Sequence, residues 1–150
     1  MREEQALSAV ETQVWRELGR LVHALPRVLE DDMLRETDVT MTEFAVLQLL
    51  EEAPGDRLRM TELAVAAGLT ASRITRVVNA LAGRDLVRKE RDGTDGRGNL
   101  TVLTDVGREH LRAAEPQHLA SARRHVLSHL TAAELPIVAD ALRRLTKALA

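Results

Sequence analysis

Apolar positions in the first part of the chain recur at three- and four-residue steps, the spacing that places side chains on one face of an α-helix. Two interleaved rows of this kind predict a long first helix over residues 7–29. Pro26 falls inside the pattern, where proline removes a backbone donor and clashes with the preceding turn, so we expect a kink or an early end there. Residues 33–39 are then expected to form a connector. The wide apolar face of the first helix needs a partner surface.

Three shorter helices are predicted in the middle of the chain. Thr40 and Glu43 have the spacing of a capping box, and the helix that they begin should stop at Pro54. The second helix covers residues 60–67 and ends at a glycine, where a turn is needed. The third covers residues 70–83 and is capped by the threonine that begins it. The last two helices form a helix-turn-helix pair.

The helix over residues 70–83 is amphipathic. Its apolar stripe has i, i+3, i+4, i+7 spacing and consists of Ile74, Val77, Val78 and Leu81. The side chains on it that are expected to contact DNA are Thr70, Ser72, Arg73, Thr75, Arg76 and Asn79. Arg76 and Asn79 are the strongest candidates for reading bases, because arginine can bind guanine, and asparagine adenine, in bidentate fashion. The alternative is an ordinary solvated helix face.

Two short β-compatible runs follow, at residues 86–91 and 100–103. The loop between them holds three glycines, which suit a tight hairpin, and the whole segment is basic. A helix-turn-helix followed by a basic hairpin is the order of a winged helix-turn-helix. Its second helix fits the major groove of DNA, and its hairpin, the wing, reaches the neighbouring backbone or minor groove.

Two further helices are predicted after the wing. Thr104 can cap a long helix that runs toward His129, with a bend at Pro116. Thr131 and Glu134 then make a second capping box, and apolar residues step by three and four from there to the C-terminus. Both ends of the chain therefore present apolar helical rows.

The predicted fold class is mainly α with a small β-wing. We expect a single domain in which the winged helix-turn-helix spans about residues 40–103, with dimerisation helices at about 5–30 and 105–150. The terminal helices cannot easily bury their apolar rows in one small winged domain. Intertwining with a second copy would bury them and set two recognition helices about one DNA turn (~34 Å) apart. A homodimer on palindromic DNA is therefore expected, with packing of the first helix against the last as the alternative.

The charge distribution supports a nucleic-acid partner although the formal net charge is −2. Residues 1–66 hold 14 acidic and 7 basic side chains, whereas residues 67–150 hold 9 acidic and 14 basic ones. The basic surplus is densest from residue 70 to residue 100 and includes Arg91, which gives the positive footprint that phosphate binding requires. Only one tryptophan and one phenylalanine are present, too few for a surface that stacks single-stranded bases. Double-stranded DNA is the expected partner.

Several classes of chemistry are excluded by composition. The chain has no cysteine, so it has no disulfide, thiolate metal site or thiol nucleophile. Because no serine-nucleophile motif or phosphate loop occurs, we expect neither enzymatic activity nor a cofactor. No run of eighteen apolar residues and no secretory signal pattern is present, which predicts a cytoplasmic protein without membrane contact.

The stretch from residue 60 to residue 111 resembles the core of the multiple-antibiotic-resistance regulator (MarR) family almost end to end. The wing signature of that family, Asp-x-x-Asp-x-Arg and then Leu-Thr-x-x-Gly, is matched by Asp92, Asp95, Arg97, Leu103, Thr104 and Gly107. The resemblance implies that Arg97 enters the minor groove at the wing tip and that Asp95 braces the wing. A solvated turn pair is the alternative for these two residues.

The resemblance also implies a repressor that is released from its operator by a small aromatic or anionic effector. Trp15 could supply an aromatic wall for such a ligand, although it also belongs to an apolar row and packing is the alternative. The candidate effector-binding residues are Trp15, Arg16, Arg20 and His23.

Two other functions are weighed against this one. His118, His125 and His129 fall on one side of the predicted long helix, and two of them have metal-ligand spacing, so a zinc-responsive regulator is an alternative, as is a solvated histidine stripe. A winged protein-binding adaptor that has lost DNA contact is the other alternative. It would be expected to carry an acidic or apolar helix and wing, whereas both are basic here.

Overall fold

The computed structural model describes residues 6–91, 93 and 99–149. The chain folds as two compact units, one made of Met1–Asp31 with Ala120–Ala150 and the other of Asp32–Leu119. The helices are α1 Ala9–Glu36, α2 Met41–Glu52, α3 Met60–Ala66, α4 Ala71–Gly83, α5 Asp105–His125 and α6 Glu134–Leu149. The strands are β1 Arg57–Arg59, β2 Val87–Arg91 and β3 Asn99–Leu103. Among the described residues, no helix is both long and apolar enough to cross a membrane.

The unit Asp32–Leu119 has the winged helix-turn-helix order expected from the sequence. Its core is built from the buried faces of the central helices and the base of the hairpin, and its largest members are Met33, Phe44, Leu47, Leu50, Leu63, Ile74, Leu81 and Leu86. The three strands form one antiparallel sheet in the order β1-β3-β2. Because β3 lies between the other two strands, the wing is joined to a short strand that comes directly before α3.

The turn chemistry around α2 and α3 follows the sequence prediction. The Thr40 hydroxyl accepts from the Glu43 N–H at 3.1 Å, and the Glu43 carboxylate accepts from the Thr40 N–H at 2.9 Å, so the capping box is confirmed. Gly68 ends the α3 segment with φ of 64°, in the left-handed region that favours glycine.

A cluster of backbone contacts joins the start of α5 to the chain after α4. The Thr104 hydroxyl lies 2.6 and 2.9 Å from the Asp85 and Leu86 carbonyl oxygens, to which it can donate its one proton, and it accepts from the Gly107 N–H at 2.9 Å. Gly107 lies so close to the Leu86 carbonyl that an added Cβ would be 1.9 Å from the Leu86 oxygen. The Leu-Thr-x-x-Gly motif therefore has a physical role, since it holds the base of the wing against the beginning of α5.

The predicted early end of the first helix at Pro26 is wrong, because α1 continues through this residue to Glu36. Residues 33–36, expected in a connector, are helical. Met33 is fully buried in the core of the winged unit, and the Thr37 N–H and hydroxyl both donate to its carbonyl, at 2.8 and 2.7 Å. Burial of Met33 and the hydrogen bonds that close the last turn stabilise this end of α1 by more than Pro26 destabilises the helix.

The long helix after the wing is shorter than predicted. Helix α5 contains Pro116 and ends at His125 rather than His129, and a 3-10 turn covers Leu127–His129. The Ser128 hydroxyl donates to the Arg124 carbonyl at 3.4 Å, which is the carbonyl that the Ser128 N–H would use if the helix continued. The second capping box, in contrast, is confirmed, with the Glu134 N–H donating to the Thr131 hydroxyl at 3.3 Å.

Candidate nucleic-acid interface

Helix α4 presents a polar face whose rotation is set by its buried side. Ile74, Val78 and Leu81 are buried at 1%, 0% and 0% exposure, as the periodicity predicts. The Thr70 hydroxyl caps the helix by accepting from the Arg73 N–H at 3.3 Å. The side chains left on the exposed side are Ser72, Arg73, Thr75, Arg76 and Asn79. All the candidates on the recognition helix therefore lie at one surface, together with the cap.

The groups on this face differ in the hydrogen-bonding capacity that they still offer. The Thr75 hydroxyl donates to the Ala71 carbonyl at 2.8 Å, so it offers an acceptor oxygen to an incoming molecule. The Thr70 and Ser72 hydroxyls lie 3.3 Å apart and share one hydrogen bond. Arg73 and Arg76 have no hydrogen-bond or ion-pair partner among the described residues, so their guanidinium donors are available for base edges or phosphates.

Strand β2 adds positive charge beside this helix. Successive side chains of a strand point to opposite faces, so Lys89 and Arg91 share a face with Val87, which is buried in the core. Helix α4 packs against this strand. The Lys89 ammonium donates to the Asn79 amide oxygen, whereas Arg91 has no partner within the part of the chain described. Lys89 was not selected from the sequence, although the alternation Val87-Lys89-Arg91 was the available signal.

Two arginines of the basic stretch are already paired with carboxylates of this chain. Arg88 lies on the other face of β2 and donates to the Glu90 carboxylate at 2.7 Å. Arg84, just after α4, donates to the Asp38 carbonyl at 2.8 Å and to the Asp38 and Glu43 carboxylates at 3.1 and 3.3 Å. Within the described residues, the positive footprint is therefore narrower than the count of basic residues indicated, and it consists of side chains on α4 and on one face of β2.

The ion pairs of Arg84 belong to a network that also contains a histidine. The His110 ring lies 2.8 Å from the Asp38 carboxylate. Partial burial opposes ionisation of Asp38, but the hydrogen bond and charge of His110, with the charge of Arg84, hold the pKa of this carboxyl below its ordinary value. The network fastens the C-terminal end of α4 to the loop before α2 and to α5.

The wing-tip candidates Asp95 and Arg97 lie outside the described residues, as does Asp92. Their proposed roles stay predictions from the family resemblance. The strands that carry the tip are described, and their register pairs Arg91 with Asn99 at its outer end and Val87 with Leu103 at its base.

The four effector candidates lie on α1, where each side chain is exposed. Trp15 is 69% exposed and lines an open apolar groove of about 350 Å³ together with residues of the first helix and Leu145 of α6. Arg20 donates to the Glu17 carboxylate at 2.8 Å, and the His23 ring lies 2.6 Å from the Gly19 carbonyl. Of the four candidates only Trp15 lines this groove, so they do not converge within this unit.

The three histidines do not form one helical stripe. His118 stacks on Phe44 with ring centroids 4.5 Å apart, and its buried Nδ1 has no partner among the described atoms. Burial lowers the pKa of His118, and the nearby Glu115 charge opposes this only in part. His125 ends α5 and His129 lies in the following turn. The part of the chain that is described contains no group of three metal-binding side chains arranged around one point.

Comparison with known proteins identifies the same fold and class. The model of the MarR family matches residues 37–98. The crystal structure of Sco3205, a MarR family transcriptional regulator from Streptomyces coelicolor in complex with DNA, is 33% identical, with a TM-score of 0.88 over 97% of this chain and 92% of that one.

Two further relatives are similar over most of their length. The PcaV transcriptional regulator from the same organism, in complex with its natural ligand, is 28% identical, with a TM-score of 0.76 over 97% of this chain and 100% of that one. An uncharacterized HTH-type transcriptional regulator of Bacillus subtilis, YxaD, is 26% identical over 80% of this chain and 82% of its own length.

Proposed function

Because this chain belongs to the MarR family of DNA-binding transcriptional regulators, we propose that it is a homodimeric repressor that reads a palindromic operator with helix α4 and the wing. The observation that carries the proposal is the exposed face of α4. Arg73 and Arg76 lie there without a partner among the described residues, and Lys89 and Arg91 of β2 extend the same positive surface. Its relative Sco3205, at 33% identity, was solved in complex with DNA.

Selection of bound duplexes from random DNA tests this proposal. We expect the chain to recover a palindromic motif, and Arg76→Ala to relax base preference at one position of each half-site. Arg97→Ala should weaken binding by about 1–3 kcal/mol without unfolding the protein. Arg88→Ala is the matched control, because it removes an arginine that is paired with Glu90 on the other face of β2. Recovery of no motif by the wild-type chain would contradict the proposal.

The dimer is supported by apolar side chains that the unit Met1–Asp31 with Ala120–Ala150 leaves exposed. Val14 and Leu21 of α1 are 61% and 47% exposed, and Ile137 and Leu142 of α6 are 68% and 51% exposed. Large exposed apolar surfaces on a folded chain mark interaction sites. A second copy of the same helices would cover these rows and supply the second recognition helix that a palindrome requires.

A small effector is the second part of the proposed function. It is supported by the PcaV structure, which contains that protein's natural ligand, and by the exposed Trp15 in its apolar groove. Titration with salicylate-like compounds should change the fluorescence of Trp15, the single tryptophan, and release operator DNA together. If neither signal changes while DNA binding is intact, this part of the proposal fails.

A further inference from the structure

The amide of Asn79 is held in one orientation by a side chain from the wing. Asn79 lies on the exposed side of α4, ten residues before Lys89, and the Lys89 ammonium contacts one polar atom of its amide. A lysine ammonium has only donors, so the atom that it contacts must be the carbonyl oxygen. The amide nitrogen, with its two N–H groups, is therefore at the other position of the planar amide, directed away from Lys89.

This orientation changes what Asn79 offers to a base. Bidentate recognition of adenine uses the amide oxygen to accept from the adenine amino group and the amide nitrogen to donate to N7. Here the Asn79 oxygen already accepts from Lys89. The second lone pair of this oxygen is still free, but an adenine amino group that donated to it would lie beside the positively charged ammonium. The amide N–H groups and the other ammonium hydrogens face no such opposition, so this pair of side chains favours acceptor atoms on the base.

We infer that Lys89 is a positioning residue that turns Asn79 from a reader of adenine into a reader of guanine. Guanine presents two acceptors, N7 and O6, in the major groove, whereas adenine presents one acceptor and a donor that would face the ammonium. The inference rests on the proposed function, because it requires α4 to lie in the major groove. It adds to that function the chemistry of one base position in each half-site.

The alternation of side chains along β2 explains why Lys89, and not an adjacent residue, contacts Asn79. Lys89 pairs in register with Thr101 of β3 and shares a face with Val87, which places it on the side of the sheet where α4 packs. Arg88 is adjacent in sequence but contacts Glu90 on the opposite face. The same loss of one positive charge at residue 88 or residue 89 should therefore have different effects on base preference.

The test is duplex selection with the whole chain carrying Lys89→Met, and Arg88→Met as the control. The wild type should select guanine at the Asn79 position, and Lys89→Met should shift the guanine-to-adenine ratio there by about 10-fold toward adenine. Arg88→Met should leave the motif unchanged. In the Asn79→Ala background, Lys89→Met should have no further effect on this ratio, because the two changes act through one group.

Three outcomes would overturn the inference while leaving the proposed function intact. The wild type could select a palindrome with adenine at this position, Lys89→Met could weaken binding to all sequences equally, or the effect could persist without Asn79. The first outcome would show that Asn79 reads adenine despite its contact with Lys89. The second would assign Lys89 to the phosphate backbone, and the third would assign it to direct contact with a base. Failure of the wild-type chain to select any motif would instead overturn the proposed function, and the inference with it. Matching thermal midpoints for the variants exclude misfolding as the cause.

Discussion

Replacing Gly107 with alanine tests how the wing is attached to the rest of the winged unit. An alanine Cβ at this position would lie 1.9 Å from the Leu86 carbonyl oxygen and 2.9 Å from a methyl carbon of Leu103. Close carbon-to-oxygen contacts in proteins are about 3.3 Å or longer, so the two backbone segments must separate by more than ~1 Å. The neighbour is backbone that carries hydrogen bonds, so it cannot yield as a flexible side chain would.

The size of the effect follows from three contributions. Overpacking of this kind costs about 1–3 kcal/mol. Separation of the segments also weakens two hydrogen bonds, each worth about 1 kcal/mol. One runs from the Thr104 N–H to the Leu86 carbonyl at 3.2 Å, and the other is donated by the Thr104 hydroxyl, which lies 2.6 and 2.9 Å from the Asp85 and Leu86 carbonyl oxygens. Alanine has a higher helix propensity than glycine, which offsets about 1 kcal/mol of this destabilisation. We therefore expect the free energy of unfolding to fall by about 2–4 kcal/mol, which lowers the thermal midpoint by roughly 5–15 °C.

Thermal and urea unfolding followed by circular dichroism, at one protein concentration, measure this change. Gly83→Ala is the matched control, because Gly83 ends α4 in the helical conformation and an added Cβ there meets nothing within 4 Å. Its free energy of unfolding should stay within about 1 kcal/mol of the wild type. A Gly107→Ala protein as stable as the Gly83→Ala control would refute the steric reasoning and show that the two segments separate without cost.

Three further outcomes are expected. Leu142→Asp combined with Leu145→Asp should give a monomer in sedimentation and abolish operator binding, and a dimer that persists would contradict the assignment of α6 to the interface. Because burial lowers the pKa of His118, the unfolded chain takes up this proton first as the pH falls below about 6.5, so the wild type should lose stability from there downward until the folded-state pKa is passed. His118→Phe should remove that part of the loss, and equal pH profiles for the two proteins would disprove it. Arg84→Ala should lower the thermal midpoint but keep the dependence of DNA affinity on salt concentration. Arg91→Ala should reduce the slope of that dependence by about one phosphate contact. Equal slopes for these two variants would show that Arg84 also binds phosphate.

The central elements of the fold could be predicted from the sequence because their signals are local. The capping box at Thr40 and the cap at Thr70 each satisfy backbone N–H groups within three residues of themselves. Gly68, whose backbone is in the left-handed region, is likewise a local signal that marks the turn after α3. Burial of the α4 stripe then follows from periodicity, so the exposed polar face is determined once the helix is recognised.

Two of the three errors arose where contacts between distant parts of the chain decide the structure. Strand β1 has three residues, too few to show alternation, and it exists because it pairs with β3 more than forty residues later in the chain. The extension of α1 past Pro26 depends on burial of Met33 in the core. The end of α5 depends on which group takes the Arg124 carbonyl. The first two errors involve partners that lie far along the chain, whereas the contact of Ser128 with the Arg124 carbonyl is local and serine four residues after a carbonyl is also compatible with a continuing helix.

Long-range contacts also matter at the candidate interface, where the count of basic residues overestimated the number of side chains that are available to contact DNA. Arg84 lies 41 residues from Glu43 along the chain, and the contact between Asn79 and Lys89 crosses from helix to strand. These contacts remove binding capacity from the surface, but they also restrain the side chains before DNA arrives. Ordering a long side chain on binding costs about 0.5–1.5 kcal/mol, and a side chain already held avoids part of that cost. In the proposed function, base reading therefore depends on the few groups of α4 that have no partner among the described residues and on one amide whose orientation is set in advance.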